Sequence, residues 1–309
     1  MAINRAQLVK ELEPGLNALF GLEYSKYTDE WKGMFDTESS DRAFEEEVML
    51  SGFGNAATKG EGASFAYDTA QEAYTSRYNH ETIALGFALT EEAMEDNLYD
   101  KLSSRYTKAL ARSMSHTKNV KGADVFNNAF NSAYAGGDGV ELIGTHTLLN
   151  GSTIANEPGT AADLNETSLE AALIDISKFT DERGLKIAVK GQTLCVPSDL
   201  IFVAERVLGS TGSTVAGGTG DGTFAKNDIN AMHSMGILPG GVSVNHFLTD
   251  VDAWFIKTDS PNGMKHFNRV GMKTGMEGDF ETGNVRYKAR ERYSFGWSDF
   301  RAVYGSPGA

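Results

Sequence analysis

The sequence predicts an α+β protein, and three observations support this fold class. Apolar residues recur every four positions over 90–118, which is typical of an amphipathic helix. Apolar and polar residues alternate over 285–297, which is typical of a half-buried strand. Helix and strand signals follow one another within 141–263. The chain has 309 residues, enough for about two domains at ~150 residues each.

Composition and charge exclude several classes of protein. Apolar residues make up 40% and charged residues 23% of the chain, which is too apolar for a disordered protein. The 28 basic and 42 acidic residues give a net charge of −14, which excludes a general DNA- or RNA-coating protein. The single cysteine, Cys195, cannot form an internal disulfide. No apolar run approaches the ~20 residues of a membrane span, and the N-terminal residues carry charges, so we expect a cytoplasmic protein without a secretory signal.

The first 61 residues contain two different segments. Residues 1–35 show a helical apolar pattern that Pro14 and Gly15 interrupt, so we expect one or two short helices with a break. Residues 36–61 hold seven acidic side chains against two basic ones, a balance of −5. This segment is therefore expected at a solvated edge or against a basic partner surface.

A long two-stranded ribbon is expected over 42–89. Alternate apolar residues of 44–50 define one face of its first strand, and 64–67 and 82–89 have the pattern of returning strands. The small residues between them would form a glycine-rich tip. Because an isolated two-stranded ribbon is marginally stable in water, we expect this one to rest on another surface, and a second subunit is a candidate.

The strongest helix signal starts at Thr90, which is suited to cap the helix N-terminus. Acidic residues lie near its start and basic residues near its end, an arrangement that matches the helix macrodipole. At ~1.5 Å per residue, a helix over 90–118 would be a rod about 43 Å long, which suggests a structural spine. Its apolar stripe consists of Met94, Leu98, Leu102, Tyr106, Leu110 and Met114, thickened by Ala109 and Ala111.

The acidic segment 141–263 mixes shorter elements. A capping-box pattern at 167–170 opens a helix that is expected to end near Gly184. A second helix is expected over 199–208, and the glycine-rich 209–223 segment is expected to be a mobile exposed loop. Strands are predicted over 185–190, 192–196, 242–246 and 253–257.

The even positions of the strand predicted over 285–297 include no apolar residue, and four of them are arginine or lysine, so this face of the strand is cationic. Three interpretations of this face remain open. It is an ordinary strand surface, a docking surface for the acidic 36–61 segment of a neighbouring subunit, or a nucleic-acid contact. Four cations on an acidic chain give little net attraction for a polyanion, which disfavours the third interpretation. The face consists of Arg286, Lys288, Arg290 and Arg292.

The sequence predicts no catalytic, cofactor-binding or metal-binding residue. The six histidines share no metal-site spacing, and Asp250 and Asp252 lack the spacing of a calcium loop. The glycines of 218–222 lack the lysine of a phosphate-binding loop, and Cys195 lies in a predicted strand, where a buried inert thiol is expected. Adjacent carboxylates within 45–47 would point to opposite strand faces, so they make a poor acid–base pair.

Four short segments stand in a distinctive order along nearly the whole chain. They read Leu-Gly-Phe-Ala-Leu-Thr-Glu-Glu-Ala at 85–93, Ala-Leu-Ala-Arg-Ser-Met-Ser-His-Thr-Lys at 109–118, Leu-Cys-Val-Pro-Ser-Asp-Leu at 194–200 and Tyr-Lys-Ala-Arg-Glu-Arg-Tyr-Ser-Phe-Gly-Trp at 287–297. The first enters the long helix, the second leaves it, and the last lies near the end. In this order and spacing the chain resembles the major capsid proteins of tailed bacteriophages, which have the HK-97-type (Johnson) fold.

The resemblance implies a division of the chain into named parts. Residues 1–41 would be the N-arm and 42–88 the extended E-loop, a β-hairpin that lies over a neighbouring subunit. The P-domain would be built from 89–145, with the spine helix, and from the C-terminal strands in 270–309. The α+β A-domain, 146–269, would gather at five- and six-fold centres.

The resemblance also implies a structural, non-enzymatic function without cofactors. Copies would form hexamers and pentamers that close into the icosahedral head around double-stranded DNA, without specific DNA binding and without a membrane. A portal protein is a partner that such heads use, and a decoration protein is an optional further partner. The spine begins at residue 90, which leaves no room for a scaffolding segment ahead of the arm, so a separate scaffolding protein is expected. Assembly would take place in the host cytoplasm, and the product would be part of the virion.

Two alternatives remain open beside the phage head. An encapsulin-type nanocompartment shell shares the fold but encloses a cargo enzyme. A soluble metal- or carboxylate-dependent enzyme would instead be a monomer or small oligomer, with a concave site lined by shifted titratable groups. Some relatives cross-link lysine to asparagine between subunits. Lys59 lies near the predicted loop tip, but no partner asparagine or catalytic acid matches by motif, so this chemistry is not expected here.

Overall fold

The structure is a computed structural model that describes the backbone of residues 5–90, 92, 99–212, 229–279 and 283–309. The side chains of 5–13 and 99–102 lie outside this description. Short 3₁₀ turns at Glu30–Gly33, Ser198–Leu200 and Phe300–Ala302 connect the longer elements. The α-helices are α1 (Arg5–Tyr24), α2 (Tyr99–Asn127), α3 (Glu166–Ser177), α4 (Ile201–Gly209) and α5 (Ala231–Met235).

The strands form two four-stranded sheets and two short two-stranded ones within the described residues. They are β1 (Asp36–Ser39), β2 (Phe44–Leu50), β3 (Glu72–Asn79), β4 (Glu81–Leu89), β5 (Thr145–Thr147), β6 (Thr153–Ala155), β7 (Gly191–Val196), β8 (Val242–Val244), β9 (Trp254–Thr258), β10 (Met264–Gly278), β11 (Val285–Trp297) and β12 (Val303–Ser306).

The first sheet has the strand order β1–β10–β11–β4 and packs one face against α1 and α2. β11 runs antiparallel to both β10 and β4, whereas β1 pairs with β10 in parallel. The predicted alternation of β11 is confirmed, because Tyr287 and Ala289 are buried while Arg286, Lys288 and Arg290 are exposed. The core between the helices and this sheet contains Leu16, Phe20, Leu110, Ala111, Met114, Tyr287 and Ala289.

The second sheet has the strand order β12–β9–β7–β8, and its apolar side chains pack with those of α3 and α4. The buried Asn156 side chain links three chain segments beside this sheet. The two N–H groups of its amide nitrogen are shared among the carbonyl oxygens of Leu142 (2.8 Å), Phe300 (3.1 Å) and Val303 (2.9 Å), and its oxygen accepts from the Gly144 N–H (2.9 Å). These contacts satisfy backbone groups that burial would otherwise leave unpaired.

An aromatic cluster connects the two sheets. Trp31 and Phe35 follow α1, Phe126 lies at the end of α2, and Phe255 and Val303 come from the second sheet. Phe126 contacts both Phe35 (ring centroids 5.6 Å apart) and Phe255 (5.1 Å), and Phe35 in turn contacts Phe295 of β11 (5.0 Å). The long helix is therefore fastened at its C-terminal end to both sheets.

The predicted break at Pro14 and Gly15 is wrong, because α1 is one continuous helix. Proline lacks an N–H and so removes one hydrogen bond from the helix. The helix continues across Pro14 because Leu16 and Phe20, in the following turns, are buried against α2 and the first sheet. Tertiary burial thus outweighs the local cost of the proline.

The long helix is confirmed, but α2 extends to Asn127, beyond the predicted end at residue 118. The predicted cap at Thr90 cannot be compared, since 91 and 93–98 lie outside the described residues. Leu110 and Met114 are buried as the stripe predicted, whereas Tyr106 is 47% exposed. The side of the helix that is buried at that level carries the smaller Ser103 and Thr107.

The helix predicted from the capping box also differs. α3 is capped by Asn165, whose Oδ1 accepts from the Ser168 N–H (2.9 Å), and it ends at Ser177, well before Gly184. The segment 185–190 is not a strand apart from one isolated bridge, because Ala188 adopts a positive φ of 51°. The strands predicted over 192–196, 242–246 and 253–257 correspond to β7, β8 and β9, and α4 matches the helix predicted over 199–208. The loop predicted over 209–223 lies outside the described residues from 213 onward.

The ribbon predicted over 42–89 is shorter than expected. β2 pairs antiparallel with β3, which sequence reasoning missed, and 64–67 contains no strand. The strand predicted over 82–89 is present as β4, but it pairs with β11 instead of β2. β3 was missed because its buried positions are Ser76 and Tyr78, which do not give an alternating aliphatic signal.

Candidate assembly surfaces

No enzyme-like site is found in the described part of the chain. Over the described residues, no group of three or more His, Cys, Asp or Glu side chains could hold a metal ion. Cys195 is fully buried, and burial raises the pKa of its thiol to about 12, so it is not a nucleophile. The Asp250 carboxylate accepts from the Asp252 N–H (3.1 Å), which identifies this pair as an exposed turn. None of the helices searched, those of the described residues, is long and apolar enough to cross a membrane.

The inner face of the β2–β3 ribbon is fixed to the body of its own subunit. Tyr78 packs on Phe267 of β10 (ring centroids 4.8 Å), and its hydroxyl, Ser298 and the Glu47 carboxylate form a hydrogen-bonded chain. The Tyr78 ring also lies so close to Gly296 that a Cβ there would be 2.8 Å from it. Burial raises the pKa of Tyr78, which keeps its hydroxyl protonated as a donor.

The base of the ribbon is held by His80 and Lys265. The two ring nitrogens of His80 lie 2.9 Å from the Ser40 hydroxyl and 3.0 Å from that of Ser294. Desolvation lowers the pKa of His80, so this imidazole is held neutral between two hydroxyls. Lys265, buried in β10, forms ion pairs with Glu47 (3.3 Å) and with Glu38 of β1. The ribbon therefore leaves the body from a rigid base.

The outer face of the ribbon carries the apolar residues that predicted the strand. Phe44, Val48 and Leu50 lie on one face of β2, and all three are exposed to solvent, Leu50 by 61%. The Arg77 guanidinium lies over the Phe44 ring at 3.9 Å and pairs with Glu46 at 3.7 Å. This face, called the ribbon outer face below, has no apolar cover within the described subunit.

The connection between the two strands, 51–71, has no regular structure and also exposes aromatic rings. Phe53, Phe65 and Tyr67 are exposed, Tyr67 by 94%. Asp68 attaches the connection to the body, since its carboxylate accepts from the Gly54 N–H (2.8 Å) and from Arg183 (2.7 and 2.8 Å). These bonds lower the pKa of Asp68 to about 2.

The acidic 36–61 segment is partly neutralised within its own subunit. Asp36 pairs with Lys257 (3.0 Å), Glu38 and Glu47 pair with Lys265, and Glu45 accepts from the Ser40 hydroxyl (2.6 Å). As predicted for a strand, Glu46 points to the face opposite Glu45 and Glu47. Asp41, Glu46 and Glu61 remain exposed, and of these Glu46 pairs with Arg77 of its own ribbon (3.7 Å).

A cationic shelf lies on the open face of the first sheet, opposite α1 and α2. The register places Lys273 beside Arg290, and places Arg290 and Lys288 beside Ala84 and Gly86 of the edge strand β4. All of these residues are exposed, and the small residues of β4 give the shelf a low floor. Arg286, the next cation, pairs with Asp279 (2.7 Å), and Glu277 lies opposite it. The shelf is defined here as Lys273, Arg286, Lys288 and Arg290, over Ala84, Gly86 and Ala88.

Sequence reasoning placed Arg292 on this cationic face, but Arg292 is half-buried and lies beyond the open part of the shelf. Reasoning also missed the buried Arg301, whose guanidinium pairs with Glu182 (2.8 Å) and Asp299 (3.1 Å). Desolvation raises the pKa of Asp299, and Arg301 opposes that shift. No local pattern marks such a network, because its members are far apart along the chain.

Comparisons with known proteins agree with this architecture. A family model described as phage capsid protein matches residues 71–306. No curated protein matches. The capsid of Myoviridae phage XM1 has a TM-score of 0.54 at 12% identity, covering 90% of this chain and 90% of that chain.

Two further solved structures have a similar fold. The capsid of the native GTA particle has a TM-score of 0.53 at 16% identity, covering 92% of this chain and 91% of that chain. The virus-like particle from Pyrococcus furiosus has a TM-score of 0.51 at 10% identity, covering 94% of this chain and 97% of that chain. At these identities the similarity is one of fold.

Proposed function

Because the chain belongs to the phage capsid protein family, we propose that it is the major shell subunit that closes the icosahedral head of a tailed phage. The protein has the HK-97-type fold and is a structural component of the virion capsid, not an enzyme. The finer proposal is that copies assemble as hexamers and pentamers around double-stranded DNA, which the shell encloses without binding a particular sequence. The net charge of −14 supports enclosure without tight binding.

The parts of the subunit are assigned within the same proposal. Residues 1–41 act as the N-arm and 42–88 as the E-loop, a range that contains the β2–β3 ribbon and most of β4. The P-domain combines 89–145 with 270–309, and 146–269 form the A-domain. The position of α2 against β11 and β4 supports joining the two distant P-domain segments.

The observation that carries the proposal is the ribbon outer face. Phe44, Val48 and Leu50 expose apolar surface on a ribbon whose other face is firmly anchored. Burying such surface stabilises an interface by roughly 25 cal/mol per Å², which is how an incomplete subunit gains stability from assembly. The partner is another copy, and the cationic shelf of that copy is a complementary surface for Asp41 and Glu46 beside the ribbon outer face.

Other partners follow from the proposed head. A separate scaffolding protein would guide assembly, a portal protein would occupy one vertex, and a decoration protein is an optional addition. Each belongs to the proposal through the family resemblance. Co-purification of the shell with portal and DNA supports a phage head, whereas co-purification with a single cargo enzyme supports the encapsulin-type alternative.

The deciding experiment is electron microscopy of the purified protein and of two ribbon variants. Wild type is expected to form shells or capsomers, and Val48→Asp/Leu50→Asp is expected to remain as small particles, since it places charge on the contact surface. The matched control Val48→Ile/Leu50→Met keeps the apolar surface and should assemble. If wild type gives only small particles under every condition, with and without a scaffold, the proposal is wrong.

A further inference from the structure

The exposed side of α2 carries a row of basic residues that the assembly surfaces above do not use. Arg105, Lys108, Arg112 and His116 are separated by three, four and four positions, a spacing that places them on one helix face. All four are exposed. At ~1.5 Å per residue the row is about 16 Å long. It is called the helix stripe below.

Among the described residues, the arginine and lysine side chains of the helix stripe have no ion-pair partner within 4.0 Å. None of the ion pairs of the described residues involves Arg105, Lys108 or Arg112. Glu23 of α1 is the carboxylate whose pKa Lys108 helps to lower, but Glu23 is already hydrogen-bonded to Lys26 at 2.9 Å. On a chain with a net charge of −14, an exposed row of unpaired cations marks a surface with its own partner.

A groove lies beside the helix stripe, and a partner that binds the stripe must fit into this groove. Its volume is about 440 Å³, and its lining contains no carboxylate. Ala109 and Ser113 form a floor of small side chains, and the ring of His116 packs on Phe247 (centroids 5.3 Å apart). The lining is completed by Tyr27, Lys108, Arg112 and His116.

We propose that the helix stripe binds an acidic polypeptide segment of a separate assembly protein, with carboxylates on Lys108 and Arg112. This inference rests on the proposed function. Lys108, Arg112 and His116 are four residues apart, so they rise by about 6 Å each along the helix. An acidic helix with glutamates four residues apart presents carboxylates at the same rise and fits beside α2 in the groove.

A second copy of the chain is a poorer occupant than a separate protein. The cationic shelf and α2 lie on opposite faces of the first sheet. In a shell one subunit thick, neighbours meet at their edges and through outstretched ribbons, and a ribbon docked on the shelf cannot also reach the stripe. The α2 side of the layer is left for a molecule that is not part of the shell.

A DNA duplex is also a poorer occupant. A duplex carries negative charge along its whole length, and the net charge of −14 on the chain opposes its approach. The three arginine and lysine charges release few counterions, so the net attraction is small. A peptide with a short acidic run interacts with the stripe alone.

The test uses the purified full-length protein and a fluorescein-labelled helical peptide with glutamates four residues apart. The peptide is expected to bind in a salt-dependent manner, and its glutamine counterpart is not. Lys108→Gln/Arg112→Gln should weaken binding about tenfold, because the variant removes two partly exposed ion pairs. The matched control Lys186→Gln/Lys190→Gln removes two exposed cations from the loop before β7 and should bind like wild type.

Position is tested by carbodiimide cross-linking of the same peptide, followed by mass spectrometry. The cross-link is expected at Lys108, and Lys108→Arg should abolish it while binding persists, since arginine keeps the charge but forms no such amide. The inference is overturned if the cross-links lie mainly at Lys273 or Lys288, if both double variants bind equally, or if a short DNA duplex binds more tightly than the peptide.

Failure of this inference can be told apart from failure of the proposed function. If wild type forms shells but the peptide does not bind the stripe, the stripe proposal is wrong and the shell proposal stands. If the peptide binds Lys108 but wild type never forms shells or capsomers, the stripe is a protein-binding surface and the proposed function is wrong. Lys108→Gln/Arg112→Gln must keep the unfolding midpoint of wild type for either comparison to count.

Discussion

β11 and β2 both alternate apolar and polar residues, yet their apolar faces have opposite surroundings. Tyr287 and Ala289 of β11 are buried by α1 and α2 of the same chain. Val48 and Leu50 of β2 face solvent, while the inner face of the ribbon, built around Tyr78, is the buried one. The same sequence pattern therefore occurs in one strand whose apolar face is buried by its own chain and in another whose apolar face is exposed to solvent. What differs is the neighbour, which local sequence does not specify.

The largest expected effect is on the free energy of unfolding, and it should differ between a substitution in β11 and one in β2. Tyr287→Ala removes a buried aromatic side chain and should lower the free energy of unfolding by about 3–5 kcal/mol. Val48→Ala removes an exposed side chain and should change it by less than about 0.5 kcal/mol. Urea unfolding of unassembled subunits measures both values. Equal losses would contradict the contrast between the covered and the uncovered strand.

The next effect concerns pH and lies in the packed layer. His266 of β10 is buried among Trp31, Tyr293 and Phe295, and its two ring nitrogens have no hydrogen-bond partner. Burial, assisted by Lys118 and Lys32, lowers its pKa to about 3. Between pH 6.5 and 3 the unfolded chain binds a proton that the folded chain does not, so stability is lost as pH falls through this window.

The measurement is the free energy of unfolding of wild type and His266→Leu at several pH values. The stability difference should change by up to about 1.4 kcal/mol per pH unit below pH 6.5, with wild type losing more. Burial also raises the pKa of the nearby Glu291, so the stability linked to this group is lost as pH rises, the opposite direction to His266. Both proteins contain Glu291, so its effect cancels in the difference between them. Parallel pH profiles would show that His266 takes up its proton in the folded state.

A smaller effect tests whether the ribbon is anchored as described. Gly296→Ala places a Cβ 2.8 Å from the Tyr78 ring, so the ring must move, at a cost of about 1–3 kcal/mol. Gly275→Ala in β10 is the matched control, because its Cβ would be 3.8 Å from Lys288, an ordinary contact. Hydrogen exchange of β3 amides should increase for Gly296→Ala alone. Equal exchange in the two variants would argue against the Tyr78 anchor.

Charge reversal in the cationic shelf should have the smallest effect on the stability of the subunit. Lys288→Glu/Arg290→Glu changes exposed residues and should leave the unfolding midpoint unchanged, while weakening assembly at low salt. Asp41→Lys/Glu46→Lys in the same chain should restore part of that assembly, if the acidic segment of a neighbour docks on the shelf. Light scattering during assembly measures both. Assembly of the shelf variant at the rate of wild type would contradict the pairing.

Sequence reasoning predicted the elements that carry their own periodicity. The alternation of β11 appears in the structure, and Leu110 and Met114 of the predicted α2 stripe are buried, because both elements bury one face against the same core. Tyr106 and Ala109 of that stripe are exposed, whereas Met94, Leu98 and the side chain of Leu102 lie outside the described residues. β3 was missed because its inward positions are Tyr74, Ser76 and Tyr78, which give no alternating aliphatic signal. Tyr78 is held through its ring and its hydroxyl group. The predicted break at Pro14 does not occur because the burial of Phe20 outweighs the local effect of the proline.

The candidate surfaces divide in the same way. The acidic segment and the cations of β11 could be found from charge alone, but the roles of Glu38 and Glu47 could not. Both carboxylates form ion pairs with Lys265 of β10, which lies 227 positions from Glu38 along the chain. Charge reversal at Glu47 would therefore damage the subunit itself, which is why Glu46 is the better site for testing contacts between copies.

The ribbon is attached to its own body at more than one point along its length. His80 lies at its base, Lys265 pairs with Glu47 in the middle of β2, and the Asp68–Arg183 pair holds the connection beyond it. A neighbour that pulls on the ribbon outer face must therefore move the whole body or break one of these attachments. In the proposed shell, such a ribbon acts as a stiff connector and not as a flexible tether, so the angle between two copies is set by how their bodies sit.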